Sequence, residues 1–309
     1  MRVSTIDLGS NTVRLLVADV EGPGRWRVVA EDQTVTRLGE GLAATGALGE
    51  APMARTLAVV SDYAARGTAL GATDLRIVAT SAVREAANGS LFAAAVERAT
   101  GRRVQVVSGE DEARLVLLGV RHGVGPLAGP VVVFDIGGGS TEYILAEGER
   151  VRATASLRLG VVPLAERYPF PERVDRPRYE RLVREVATQL ERELPGEILR
   201  ARPAHLVGTA GTVTTLAALD LDLERYDARR VQGHRLSRAA VERLGARLGG
   251  LTVAERAALP CLEPGRADLI VPGVALVVAT LDCLGVDALT VSDSGLREGI
   301  LAAAANAAP

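Results

Sequence analysis

Apolar and polar positions change period several times in the first 122 residues, and each change marks an element. Residues 2–8, 12–20 and 26–32 are predicted strands. Residues 52–66 switch to helical spacing, with Leu57, Val60 and Ala64 on one face. A short buried strand is predicted over 75–79, a helix over 90–100, a strand over 103–107 and a helix over 110–122. The last carries Ala113, Val116, Leu117 and Val120 on one stripe. The order then restarts with a continuous apolar strand, 131–134, followed by strands 142–146 and 151–156. Helix 177–194 begins well, with Asp175 before it and Pro177 in its first turn. A strand at 205–208, helices at 211–218, 237–248, 252–258 and 268–284, a strand at 288–291 and a helix at 296–305 complete the reading.

Both halves share the order β-β-β-α-β-α, which predicts an α/β protein of two domains with a cleft between them. The Gly- and Pro-rich stretch 123–130 is the expected join. It separates domain I (1–124) from domain II (125–295), with the C-terminal helix (296–309) returning to domain I.

One pattern occurs in both halves, 128 residues apart: I-D-L-G-S-N-T at 6–12 and F-D-I-G-G-G-S-T at 134–141. Each follows an apolar run, carries an aspartate at its end, turns on glycine and hydroxyl residues, and enters another apolar run. A strand that turns tightly on glycine can aim several N–H groups at one anion. Gly9, Ser10, Asn11, Gly137, Gly138, Gly139, Ser140 and Thr141 are therefore candidate phosphate donors. Asp135 and Glu142 flank the second turn as a candidate metal pair, and Asp7 is the symmetry mate of Asp135. Magnesium suits such oxygen ligands and bridges phosphate oxygens; manganese is the alternative. A third loop, G-T-A-G-T at 208–212, joins a strand to a helix. Its candidates are Gly208, Gly211 and Thr212.

Composition narrows the chemistry. All 36 basic residues are arginine, which excludes both the lysine of a G-x-x-x-x-G-K-[ST] loop and lysine Schiff-base chemistry. Guanidinium groups suit phosphate well. A formal net charge of −2 and 3% aromatics argue against a nucleic-acid polymer as partner. Cys261 and Cys283 lack metal or redox spacing and are expected as buried thiols. No apolar run has membrane-spanning length. The expected setting is a reducing cytoplasm without membrane contact, and a homodimer is the default assembly.

The motifs together resemble the exopolyphosphatase and guanosine pentaphosphate phosphohydrolase family, which has the actin-like ATPase superfold of two ribonuclease H-like domains. Further matching pieces are R-L-G-E-G-L at 37–42, T-S-A-V-R-E-A at 80–86, S-G-E-D-E-A-R-L at 108–115, R-A-D-L-I-V-P-G at 266–273 and G-L-R-E-G at 295–299. The chain resembles the short, two-domain form. The resemblance implies a catalytic base at Glu112. Ser108 and Asp111 also read as a helix capping box, which accounts for the acids at 110 and 111 but less well for Glu112. Arg84 and Arg266 lie in matching motifs and are candidate phosphate clamps. The implied activity is metal-assisted removal of the terminal phosphoryl group of inorganic polyphosphate, or of guanosine pentaphosphate. A kinase of the same superfold and a non-catalytic sensor of polyphosphate or alarmone are the rivals.

Overall fold

A computed structural model describes residues 1–306 of the chain. The fold comprises two units. The first contains Met1–His122, Gly137–Gly139 and the residues from Ser294 on; the second contains Gly123–Ile136 and Ser140–Asp293. Residues 307–309 of the expected returning helix lie outside the described residues.

In the first unit, strands β1 (Arg2–Leu8), β2 (Thr12–Gly22) and β3 (Arg25–Val35) form an antiparallel meander. Helices α1 (Leu42–Thr45) and α2 (Glu50–Ala69) lead to β4 (Asp74–Ala79). Helices α3 (Ser81–Glu85) and α4 (Gly89–Thr100) precede β5 (Val104–Val106), and α5 (Gly109–Val124) follows. The sheet order is β3-β2-β1-β4-β5, with β1, β4 and β5 parallel. Ile6, Leu8, Val13, Leu15 and Val17 pack on one face with Val60, Tyr63 and Phe92. Val3, Leu16, Ala18 and Val20 face the other way.

The second unit repeats the plan. Strands β6 (Pro130–Ile136), β7 (Thr141–Glu147) and β8 (Arg150–Leu157) form the meander. Helices α6 (Val161–Arg167), α7 (Arg176–Glu193) and α8 (Gly196–Leu199) follow it. Next come β9 (His205–Thr209), α9 (Ala210–Asp220), α10 (Ala228–Val231), β10 (Arg235–Ser237), α11 (Arg238–Gly249) and α12 (Val253–Ala257). A 3-10 turn at Pro264–Arg266, α13 (Ile270–Leu284) and β11 (Ala288–Val291) complete the unit. Its sheet runs β10-β11-β9-β6-β7-β8. The extra edge strand β10 departs from the predicted order; three residues are too few to register as alternation. The predicted helix 268–284 corresponds to α13, which starts after the 3-10 turn and takes Pro272 in its first turn, where a missing N–H costs little. Cys261 and Cys283 are free but only half-buried.

The last helix, α14 (Leu296–Asn306), returns to the first unit. Leu301, Ala304 and Ala305 cover Val3, Leu16, Ala18 and Val20, so the apolar face left open by β1 and β2 is closed by the end of the chain. Trp26 packs against this cluster and stacks on His122 at 3.7 Å between ring centroids. Helices α5 and α14 approach backbone to backbone. A Cβ at Gly119 would lie 1.8 Å from the Gly295 carbonyl oxygen, and one at Gly299 would lie 1.8 Å from that of Leu115.

Arg256 ties together several loops and helix ends of the second unit. It is wholly buried and donates to the carbonyls of Leu248, Phe170, Glu172 and Leu251. Two substitutions test these constraints by urea unfolding. Gly299→Ala should cost roughly 1–3 kcal/mol through overpacking. Arg256→Ala, which leaves buried carbonyls without donors, should cost about 3 kcal/mol.

Candidate active site

The short turns between β1 and β2 and between β6 and β7 fix the strand registers, and the registers align side chains in rows. In the first unit Asp7 stands opposite Arg14, and Arg14 opposite Gln33. In the second, Asp135 stands opposite Glu142, Glu142 opposite Ser156, and Asp135 beside Thr209. Directly opposed residues share a face, with Cβ atoms about 5 Å apart. The duplicated rows thus differ in charge. Asp7 has a guanidinium neighbour, with Arg14 Nη1 at 4.0 Å from its Oδ2. Asp135 has a second carboxylate beside it, and both are buried, at 9% and 1% exposure. Opposed like charges destabilise a sheet unless a cation or proton intervenes. The Asp135–Glu142 pair therefore fits a divalent ion with hard oxygen ligands.

Among the described residues no group of three His, Cys, Asp or Glu side chains is placed to hold a metal ion. Arg14 partly neutralises Asp7 from within the first unit. Asp7 Oδ1 is buried and makes no hydrogen bond. Burial pushes the Asp7 pKa up to about 6, opposed by Arg14 and Arg297 and reinforced by Glu298. Arg14 was missed in the sequence because its signal is register: the hairpin turn sets position 14 opposite position 7.

The first glycine turn is held on all sides. Gly9 donates its N–H to Thr12 O at 3.2 Å, and a Cβ there would lie 2.9 Å from that oxygen. Gly9, a candidate phosphate donor, shapes the turn. Ser10 accepts Gly39 N–H on its carbonyl and Ala82 N–H on its hydroxyl. The Asn11 carbonyl accepts from Thr36 and Arg37, while its side-chain Oδ1 is buried without a hydrogen bond. Gly137–Gly139 belong to the same unit. A Cβ on Gly138 would lie 2.8 Å from Asn11 N, and one on Gly139 would lie 2.6 Å from Ser10 Oγ and 2.7 Å from Ser81 Oγ. Side chains at these two glycines are excluded by contact. Ser140 and Thr141 are buried; the Thr141 hydroxyl donates to Leu159 O and the Ser140 hydroxyl to Glu142.

Glu112 lies in the first turn of α5, 6% exposed, its N–H bonded to Ser108 O. Ser108 Oγ accepts Asp111 N–H and donates to the Asp111 carboxylate, so the cap engages Asp111 and leaves Glu112 to another partner. That partner is Arg84 on α3, whose Nη1 donates to Glu112 Oε2 at 2.8 Å and to Val107 O at 2.9 Å. Arg84, expected as a phosphate clamp, is brought to this carboxylate.

The third loop gathers its own group. Thr209 ends β9, and Ala210 opens α9 at φ 69°, a backbone conformation unfavourable for a residue with a Cβ. Arg266 lies across Gly211, where a Cβ would sit 1.7 Å from its Nη1, and pairs with Glu263 at 3.1 Å. Gly208 passes under Phe134, where a Cβ would sit 2.7 Å from Cζ, and Thr212 abuts Gly273.

Comparison with known proteins shows the family. The model of the Ppx/GppA phosphatase family matches residues 16–307. Exopolyphosphatase 2 of Mycobacterium tuberculosis is 38% identical over 97% of both chains. A crystal structure of the Aquifex aeolicus Ppx/GppA family member superposes with a TM-score of 0.82 at 33% identity, covering 98% of this chain and 97% of that one. An exopolyphosphatase structure from Cytophaga hutchinsonii gives 0.90 at 26% identity, covering 100% and 99%. The chain belongs to the Ppx/GppA phosphatase family and has its actin-like ATPase fold.

The raised Asp7 pKa sets a pH dependence. Its contribution to stability is fully present below the unfolded carboxylate range, near pH 4, and is lost as pH rises through about 6. Asp7→Asn should therefore be more stable than the parent chain at pH 7.5, by about 2 kcal/mol, with the difference vanishing near pH 4. Urea unfolding at the two pH values measures it.

Proposed function

We propose that the chain is an exopolyphosphatase, which hydrolyses the terminal phosphoanhydride of inorganic polyphosphate. The observation that carries this reading is the buried Asp135–Glu142 pair beside a glycine turn, in a chain whose relatives are named exopolyphosphatases. Asp135 and Glu142 would hold a divalent ion, magnesium or manganese; when bound, it neutralises charge on phosphoryl oxygens. Ser10, Asn11, Gly137–Ser140 and the third loop, with Arg266, would bind phosphate. Glu112 would accept the proton of the attacking water, and Arg84 would hold its carboxylate in one rotamer through the 2.8 Å bond. The lowering of the barrier comes mainly from positioning and from fixed charge around the phosphoryl group.

The decisive assay measures phosphate release from short polyphosphate, long polyphosphate, guanosine pentaphosphate and ATP in parallel. Release from polyphosphate without an acceptor supports the reading. Release only from guanosine pentaphosphate moves the assignment to that substrate, and turnover only with a hydroxyl or carboxylate acceptor makes the chain a kinase. Binding without turnover makes it a sensor. Glu112→Gln should retain polyphosphate affinity and lose on the order of 10²–10⁴ in kcat. A variant hydrolysing at the parent rate removes Glu112 from the mechanism.

A further inference from the structure

The row that carries the acid pair ends in a residue with no assigned part. Ser156 on β8 stands opposite Glu142, and its hydroxyl donates to Glu142 Oε1 at 2.7 Å. The Ser140 hydroxyl donates to the same oxygen at 2.8 Å. A carboxylate oxygen offers about two lone-pair sites, and here both are taken by hydroxyl donors. With Oε1 so engaged, a cation beside Asp135 and Glu142 would meet Glu142 through a single oxygen.

We propose that Ser156 is a positioning residue that holds Glu142 to one-oxygen coordination and so biases the site toward magnesium or manganese over calcium. The inference rests on the reading of Asp135 and Glu142 as a divalent-ion site. Calcium accommodates six to eight oxygens and readily takes both oxygens of one carboxylate, whereas magnesium requires near-octahedral geometry and takes carboxylates singly. Tying Oε1 to two serines removes the two-oxygen mode. The serines differ in what else they could affect. Ser140 lies in the glycine turn that would face phosphate, while Ser156 lies on the neighbouring strand, so its removal tests the orientation of Glu142.

The test uses the full chain without substrate. Manganese binding is titrated by electron paramagnetic resonance, and bound manganese is then displaced with magnesium or calcium. Ser156→Ala should weaken manganese binding about tenfold, as loss of a partner to a ligand typically does. It should also shift the displacement ratio toward calcium, with the melting temperature of the metal-free chain unchanged. Ser156→Thr, which keeps the hydroxyl, should restore both. Unchanged affinity or an unchanged ratio in Ser156→Ala, with binding abolished in Glu142→Gln, overturns the inference and leaves the metal site standing. If the parent chain binds no manganese, the metal site and the role of Ser156 fall together.

Discussion

Two carboxylates set side by side in a sheet and shielded from water are the constraint on which the second unit's candidate site depends. Coulomb repulsion at that separation grows as water is excluded, and relief comes from a proton or a cation. Asp135 and Glu142 are placed in this position by strand register. The same register in the first unit puts Arg14 opposite Asp7. One backbone plan, used twice, thus sets an arginine across from the aspartate in one row and a second carboxylate across from it in the other.

The proposed base is built differently. Glu112 depends on a helix start and on Arg84 from another helix, and α5 itself is fixed by its approach to α14 at Gly119 and Gly299. Packing without side chains at those glycines leaves little freedom for the helix to slide. Rigid support of this kind suits a group that must present a carboxylate to a water within a narrow range of angles.

The α/β class and the family were legible because apolar periodicity and glycine-turn motifs are local signals. Most strands and long helices match the predicted spans to within a few residues. Short elements such as α3, α6 and β10 escaped, since three to seven residues hold fewer than two full periods of the pattern. The acids at 135 and 142 stood out because they bracket a motif. Arg14, Ser156 and the pairing of Arg84 with Glu112 carried no such mark. The first two need the pairing partner of each strand position, and the third joins residues 28 positions apart through tertiary packing.

The stack of Trp26 on His122 gives the molecule an optical asymmetry. Trp26 is the chain's single tryptophan, and it sits in the first unit, against the cluster closed by the final helix. Intrinsic fluorescence excited at the indole edge consequently watches that half alone, while far-ultraviolet dichroism watches both. Coincidence of the two signals during denaturation would mark the halves as a single cooperative body, and separation would mark them as independent ones.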